Sequence, residues 1–217
     1  MTFLSSNLSQ RIASAAVLAP IAVAAIYAGG VWLTALIALA FILMVWEWQR
    51  MCGRSLKWLA AGVPYLVVPC VALVWLRLLP ESGLWHIVWL LGIVWSADIG
   101  AYFTGRTVGG PKLAPQISPN KTISGAVGGL LAAIVFSLTL GHVLGASLTG
   151  MALWAVPLAL ASIAGDLLES GVKRHFNIKD SSHIIPGHGG VLDRLDSLLT
   201  TAPLLALLAL LHLSPLL

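Results

Sequence analysis

This sequence predicts an all-α, polytopic membrane bundle of about seven spanning helices, on three observations. Only 9% of its 217 residues are charged, against roughly a quarter in soluble domains. Its hydrophobic fraction is 59% and its mean hydropathy +0.94, more apolar material than one water-soluble core of this size can hide. Apolar runs also recur along the whole chain, close to the ~20 residues that a bilayer span requires. The net charge of +4 comes from few basic residues dispersed among these runs, which excludes a nucleic-acid surface. Cys52 and Cys70 lack metal or disulfide-framework spacing and read as packing residues.

Seven runs are read as spans: 12–28, 31–48, 58–79, 84–104, 122–144, 151–172 and 195–213. The first resembles a signal peptide, with Arg11, an apolar run and small residues near its end. Another span follows almost at once, so it reads as an uncleaved first helix. The second run ends at Trp46-Glu47-Trp48, followed by Arg50, Arg54 and Lys57; the fourth carries Asp98 and leads into a polar loop over 105–121. Ser118-Pro119-Asn120-Lys121-Thr122 then opens the fifth. The sixth carries Asp166 and Glu169, and a second loop over 173–194 enters the last through Asp193-Arg194-Leu195-Asp196. No fixed-period repeat interrupts the series, so 1–217 reads as a single membrane domain.

Eleven of the 12 Lys and Arg fall on the side of the N-terminus when loops are counted alternately, and Arg77 alone falls opposite. Positive charge marks the cytoplasmic side. The N-terminus and both long loops are therefore expected in the cytoplasm, with the C-terminus across the membrane.

Charged groups at membrane depth are costly and tend to mark sites. Asp98, Asp166, Glu169, Asp180, Asp193 and Asp196 lie in or beside three segments, all towards the expected cytoplasmic ends. Asp98, Tyr102 and Arg106 are spaced by four and share a helix face, as do Asp166, Glu169, Ser170 and Lys173. A salt-bridge ladder accounts for Glu169 with Lys173 as well as function does, and helix capping accounts for one of Asp193 and Asp196. Asp166 follows the apolar run 161–165, where an unpaired carboxylate is costly. Carboxylates converging from several helices make an oxygen-rich site suited to Mg²⁺, usually completed by substrate phosphates. His86, His142 and His212 lie near helix ends, away from the acids, and receive no role.

The loops carry the complementary charge. Lys121 with Ser118 and Thr122 at a helix start, and Lys173, Arg174 and Lys179 ahead of Pro186-Gly187-His188-Gly189-Gly190, suit an anion. Glycines there allow backbone to approach phosphate closely. Basic loops beside converging acids predict a polyanion held with a divalent cation.

These residues resemble the membrane-integral phosphatidate cytidylyltransferases, or CDP-diacylglycerol synthases. The strongest match is Ser170-x-x-Lys173-Arg174, Lys179-Asp180, Pro186-Gly187-His188-Gly189-Gly190 and Asp193-Arg194-x-Asp196-Ser197. Supporting matches are Trp95-Ser96-Ala97-Asp98-x-Gly100-Ala101-Tyr102, Gly105-Arg106, Ser118-Pro119-x-Lys121-Thr122 with Gly125, and Gly165-Asp166-Leu167-x-Glu169-Ser170. The resemblance is firm over about 92–213 and looser over the N-terminal helices of 1–90, chiefly through Trp46-Glu47-Trp48, so the catalytic helices and loops are placed in 91–213. Ser124 departs from the pattern, standing where many relatives carry Glu or Gln.

The resemblance implies transfer of a cytidylyl group from CTP to phosphatidic acid in a bacterial inner membrane, giving CDP-diacylglycerol and pyrophosphate, by a homodimer using Mg²⁺, alone or with a second cation. On this reading Asp166 and Asp193 are the principal metal ligands, with Asp98, Glu169 and Asp196 as further ligands or orienters. Lys121, Lys173, Arg174, Lys179 and Arg194 hold phosphates with Ser118, Thr122 and the backbone of Gly187, His188, Gly189 and Gly190. Asp180 joins the catalytic set, and Tyr102 and Arg106 the substrate-binding set. Two rivals make different predictions: a CTP-dependent lipid-alcohol kinase releases CDP, and a cation transporter moves ions without CTP.

Overall fold

The structure, a computed structural model, describes residues 2–217, with side chains from residue 8 onward. Seven helices run in order: α1 (Thr2–Ala28), α2 (Gly30–Cys52), α3 (Leu56–Leu78), α4 (Gly83–Thr107), α5 (Ile123–Leu144), α6 (Leu148–His175) and α7 (Leu192–Leu210). The first six are long and apolar enough to cross a membrane. The first two turns of α7 hold Asp193, Arg194 and Asp196, which shorten its apolar length, and it ends three residues before the expected 213. Prolines inside α1, α3, α6 and α7 do not stop these helices, a tolerance usual where neighbouring helices re-satisfy freed backbone groups.

One departure from the expected layout lies between α4 and α5. Residues 118–122, read from sequence as the start of a helix, form strand β2 (Ser118–Thr122), antiparallel to β1 (Lys112–Ala114). Helix α5 begins only after Thr122, whose extended backbone frees its hydroxyl to accept the Gly125 N–H, as an N-cap does. Ser124 bonds the Gly109 carbonyl and the Thr122 hydroxyl, so the position that departs from the family pattern ties the turn before the hairpin to α5.

Two clusters make the core. Trp89, Leu90 and Ile93 of α4 pack with Met151 and Leu158 of α6 and Leu205 of α7. Met44 and Trp48 of α2 pack with Leu66 of α3 and Leu192 and Leu199 of α7. Cys52 belongs to the second cluster and Cys70 lies against it; both are free thiols. Outward-facing Val31, Trp32, Ile42, Val71, Trp95, Phe103, Val135 and Leu153 are exposed, too large an apolar surface for water and a suitable one for lipid.

Helices α4 and α5 meet through small residues. A Cβ at Gly129 would lie 2.6 Å from the Ala97 carbonyl oxygen, and one at Gly100 2.6 Å from the Ala132 Cβ and 2.7 Å from the Gly128 carbonyl. Such contact is typical of membrane helices, where van der Waals packing replaces the hydrophobic drive. It fixes Asp98, on α4, relative to the hairpin that feeds α5.

Candidate active site

Asp98 and Asp166 stand at the junction of two cavities. The larger, about 620 Å³, is a chamber with an apolar floor of Ala97, Ala101, Ala126 and Ile163 and a polar rim of Tyr102, Arg106, Asn120, Lys121 and Thr122. The smaller, about 270 Å³, is walled almost entirely by charge: Asp98, Asp166, Lys173, Asp180, Asp193, Arg194 and Asp196. Helices α4, α6 and α7 and the loop before α7 each contribute carboxylates. Helical spacing accounts for part of this, since Asp166 and Lys173 lie two turns apart on one face of α6, as do Asp98 and Tyr102, one turn apart, on α4.

The ion pairs are specific. Lys121 of β2 pairs with Asp166 of α6, both side chains partly exposed to the cavities. The Lys173 ammonium lies 2.7 Å from Asp193 Oδ1 and 3.2 Å from Glu169 Oε2. The latter contact lacks hydrogen-bond alignment, and Oε1 and Oε2 of the wholly buried Glu169 have no hydrogen-bond partner. Asp193 also accepts from the Ser181 N–H and hydroxyl, each at 3.0 Å from Oδ2, and from the Gly190 N–H at 2.8 Å. Asp193 precedes the apolar stretch of α7; burial works against its charged form, but Lys173 and these N–H donors outweigh that and hold the carboxyl below the usual carboxylate range. Ser170 donates to Asp166 Oδ1 at 3.3 Å, and Arg106 to the Tyr102 hydroxyl at 2.7 Å.

Other sequence-proposed residues fall outside both linings. Arg174 is exposed and bonds the Ile117 and Ile178 carbonyls, joining the hairpin to the loop after α6. Lys179 is exposed, and Ser118 sits on β2 opposite Ala114. In the glycine loop, Arg11 of α1 donates to the Gly187 carbonyl at 2.8 Å, and the Ser14 hydroxyl lies 2.8 Å from His188 Nδ1. Gly189 has φ +85° and would bring a Cβ within 2.8 Å of Asp193 Oδ2, and a Cβ at Gly190 would meet Ser181 and Glu47. Both glycines thus allow a close approach to carboxylates, whereas the sequence suggested a close approach to phosphate.

Glu47, part of the looser N-terminal match, is the residue to which sequence reasoning gave no role. It is wholly buried on α2 and holds the loop that carries Ser181 and the start of α7. The signal was present, because Glu47 is an acid in an apolar span, the same criterion that selected Asp98 and Asp166.

The model of the cytidylyltransferase family matches residues 55–212, most of the chain. A phosphatidate cytidylyltransferase of Rickettsia bellii is 41% identical over 212 residues, covering 92% of this chain and 90% of that protein. The chain belongs to the phosphatidate cytidylyltransferase family. A member from Brucella suis is 47% identical over 173 residues, and one from Staphylococcus saprophyticus 39% over 184. The matched region covers 79% of this chain but only 63% of the Brucella protein. The family match includes every residue lining the two cavities.

Among the described residues no three His, Cys, Asp or Glu side chains are grouped to hold a metal ion as they stand. The donor chemistry of the small cavity nevertheless fits a hard divalent cation. Five carboxyl groups face it against Lys173 and Arg194 and against Lys121, which pairs with Asp166 from the adjoining chamber, an oxygen-rich set of the kind magnesium accepts. Beneath them lies the buried Glu169, 3.2 Å from the Lys173 ammonium, with its oxygens lacking hydrogen-bond partners. The surplus calls for positive charge from outside the chain.

Proposed function

We propose that the chain transfers the cytidylyl group of CTP to phosphatidic acid at the cytoplasmic face of the membrane, giving CDP-diacylglycerol and pyrophosphate. The observation that carries this reading is the pair of adjoining cavities in a member of this family. An amphipathic chamber among spanning helices opens beside a small, carboxylate-walled cavity at the basic end of the bundle. A lipid acceptor needs the first, and a nucleoside triphosphate with its counter-cation needs the second.

The acceptor phosphate is already ionised near neutral pH, so no strong base is needed to create the nucleophile. Repulsion between two polyanions is the main obstacle. Asp166 and Asp193 would hold Mg²⁺, with Asp98 and Asp196 adjoining and Glu169 beneath; the ion would neutralise phosphate charge and stabilise the leaving pyrophosphate. Lys121 and Lys173, which pair with carboxylates at the cavities, would hold phosphate oxygens. Arg194 adds a third positive group from the cavity wall. Tyr102 and Arg106, bonded to each other on the chamber rim, would orient the acceptor headgroup. The α-phosphorus is then held for in-line attack, with most of the rate supplied by positioning and fixed charge.

The charge asymmetry of the loops supports a cytoplasmic site, N-terminus included. The test is to incubate purified protein with labelled CTP, phosphatidic acid and Mg²⁺. CDP-diacylglycerol and pyrophosphate are expected in equal amounts. Release of CDP with a phosphorylated lipid alcohol would instead establish the kinase chemistry, and ion flux in liposomes without CTP would establish transport.

A further inference from the structure

Glu47 lines neither cavity, yet its carboxylate organises the entrance to α7. Oε1 accepts from the Val191 N–H at 2.8 Å and the Ser182 hydroxyl at 2.6 Å; Oε2 accepts from the Leu192 N–H at 2.8 Å and lies 3.2 Å from the Ser181 hydroxyl. Val191 is the N-cap of α7 and offers no capping side chain, so the first N–H groups of that helix would be orphans. A carboxylate from α2 satisfies them, where negative charge is also favoured by the helix dipole. The next residue is Asp193. The Ser181 hydroxyl bridges the two acids, 3.2 Å from Glu47 and 3.0 Å from Asp193 Oδ2. Space is exact: a Cβ at position 190 would come within 2.5 Å of Glu47 Oε1.

We propose that Glu47 is a positioning residue, acting through Ser181 and the α7 backbone to fix the Asp193 carboxylate in the small cavity. The inference rests on the functional reading above, in which Asp193 serves the reaction. The carboxylate form is required because the Val191 and Leu192 N–H groups and the Ser182 hydroxyl donate to it, while the single Ser181 hydroxyl proton is shared with Asp193. A glutamine would turn an amide NH₂ towards one pair of them and set donor against donor.

Three variants test it: Glu47→Gln, Glu47→Asp and Ser181→Ala, with Ser137→Ala as a control in the Trp89 hydrogen bond elsewhere in the core. Glu47→Gln is expected to lower kcat about 10- to 100-fold, the usual range for residues that orient a metal-binding group. Amide hydrogen exchange over 180–192 should accelerate while exchange over 148–175 stays unchanged. Glu47→Asp should recover part of kcat, and Ser181→Ala should lose about tenfold. Ser137→Ala should leave both kcat and the exchange of 180–192 unaltered. Wild-type kcat and exchange in folded Glu47→Gln would overturn the proposal, as would faster exchange across the whole chain in step with lost activity. If Glu47→Gln fails to fold, Ser181→Ala decides, and wild-type behaviour there overturns it. Should the wild-type protein make no CDP-lipid, the functional reading fails, whereas the exchange comparison still tests Glu47 as the anchor of this loop.

Discussion

The two ends of the bundle treat buried polar groups in opposite ways. At the end holding Arg77, the buried His86, the Trp89 indole and Arg77 each have a neutral or backbone partner. His86, wholly buried, is bonded by the Ser82 carbonyl and the Ser214 hydroxyl; the Trp89 indole donates to Ser137 at 2.8 Å. Arg77 itself donates to the Ile26 and Tyr27 carbonyls at the end of α1, where a cation complements the helix dipole. At the other end five carboxylates share one small cavity with two cations. Balanced polar groups hold helices together, whereas a surplus of one sign is costly in a low dielectric and persists where something else is to be bound.

The sharpest way to break this contrast is to remove surplus charge. Asp166→Asn and Asp193→Asn should each lower cytidylyl transfer by more than about 100-fold, beyond the loss from an orienting residue, in protein that still purifies as a folded membrane species. Full activity in either would end the ligand assignment. Lys121→Ala should follow with a loss of about 100-fold, mostly in kcat, as for removal of one preorganised charge-stabilising donor; steady-state kinetics with both substrates varied will show it. The opposite end predicts the reverse pattern. Ser137→Ala leaves the buried Trp89 N–H without its partner, at about 1–3 kcal/mol of stability, with turnover unchanged; thermal unfolding in detergent measures the first and product formation the second.

Much of this contrast was legible in the sequence because both ends obey rules local to a helix. Hydropathy located all seven helices, and the i, i+4 spacing put Asp98 with Tyr102 and Arg106. Partners across helices were less legible. Nothing in Ser118-Pro119-Asn120-Lys121-Thr122 announces a strand, since the hairpin follows from pairing with Lys112–Ala114 and from Thr122 capping α5. Lys121 therefore reaches Asp166 by a route that helix periodicity does not contain. Glu47 lay over 130 residues from its partners, and the glycine loop read as a phosphate cradle because close approach to a phosphate and to a buried carboxylate require the same residue.

The smallest expected effect concerns pH. The Asp193 carboxyl is held below the ordinary aspartate value, so its bonds to Lys173, Ser181 and Gly190 contribute stability that is fully present above about pH 4 and is lost as pH falls through the lower folded value. Unfolding of wild type and Asp193→Asn, compared across this range, should show the wild-type advantage narrowing on acidification; a constant gap would separate that advantage from the charge.

The glycine seam between α4 and α5 bears on how the proposed lipid acceptor would be admitted. With backbone resting on backbone at Gly129 and Gly100, these two helices and the hairpin between them form a stiff plank with little slack for sliding. The chamber's other wall is α6, which packs on α4 and α5 away from the cavity and at the chamber rim is joined to the hairpin by the ion pair of Lys121 with Asp166. A latch made of two flexible side chains opens at far lower cost than a seam of packed main chain, so widening of the chamber is expected at the α6 side, with the plank as its fixed jamb.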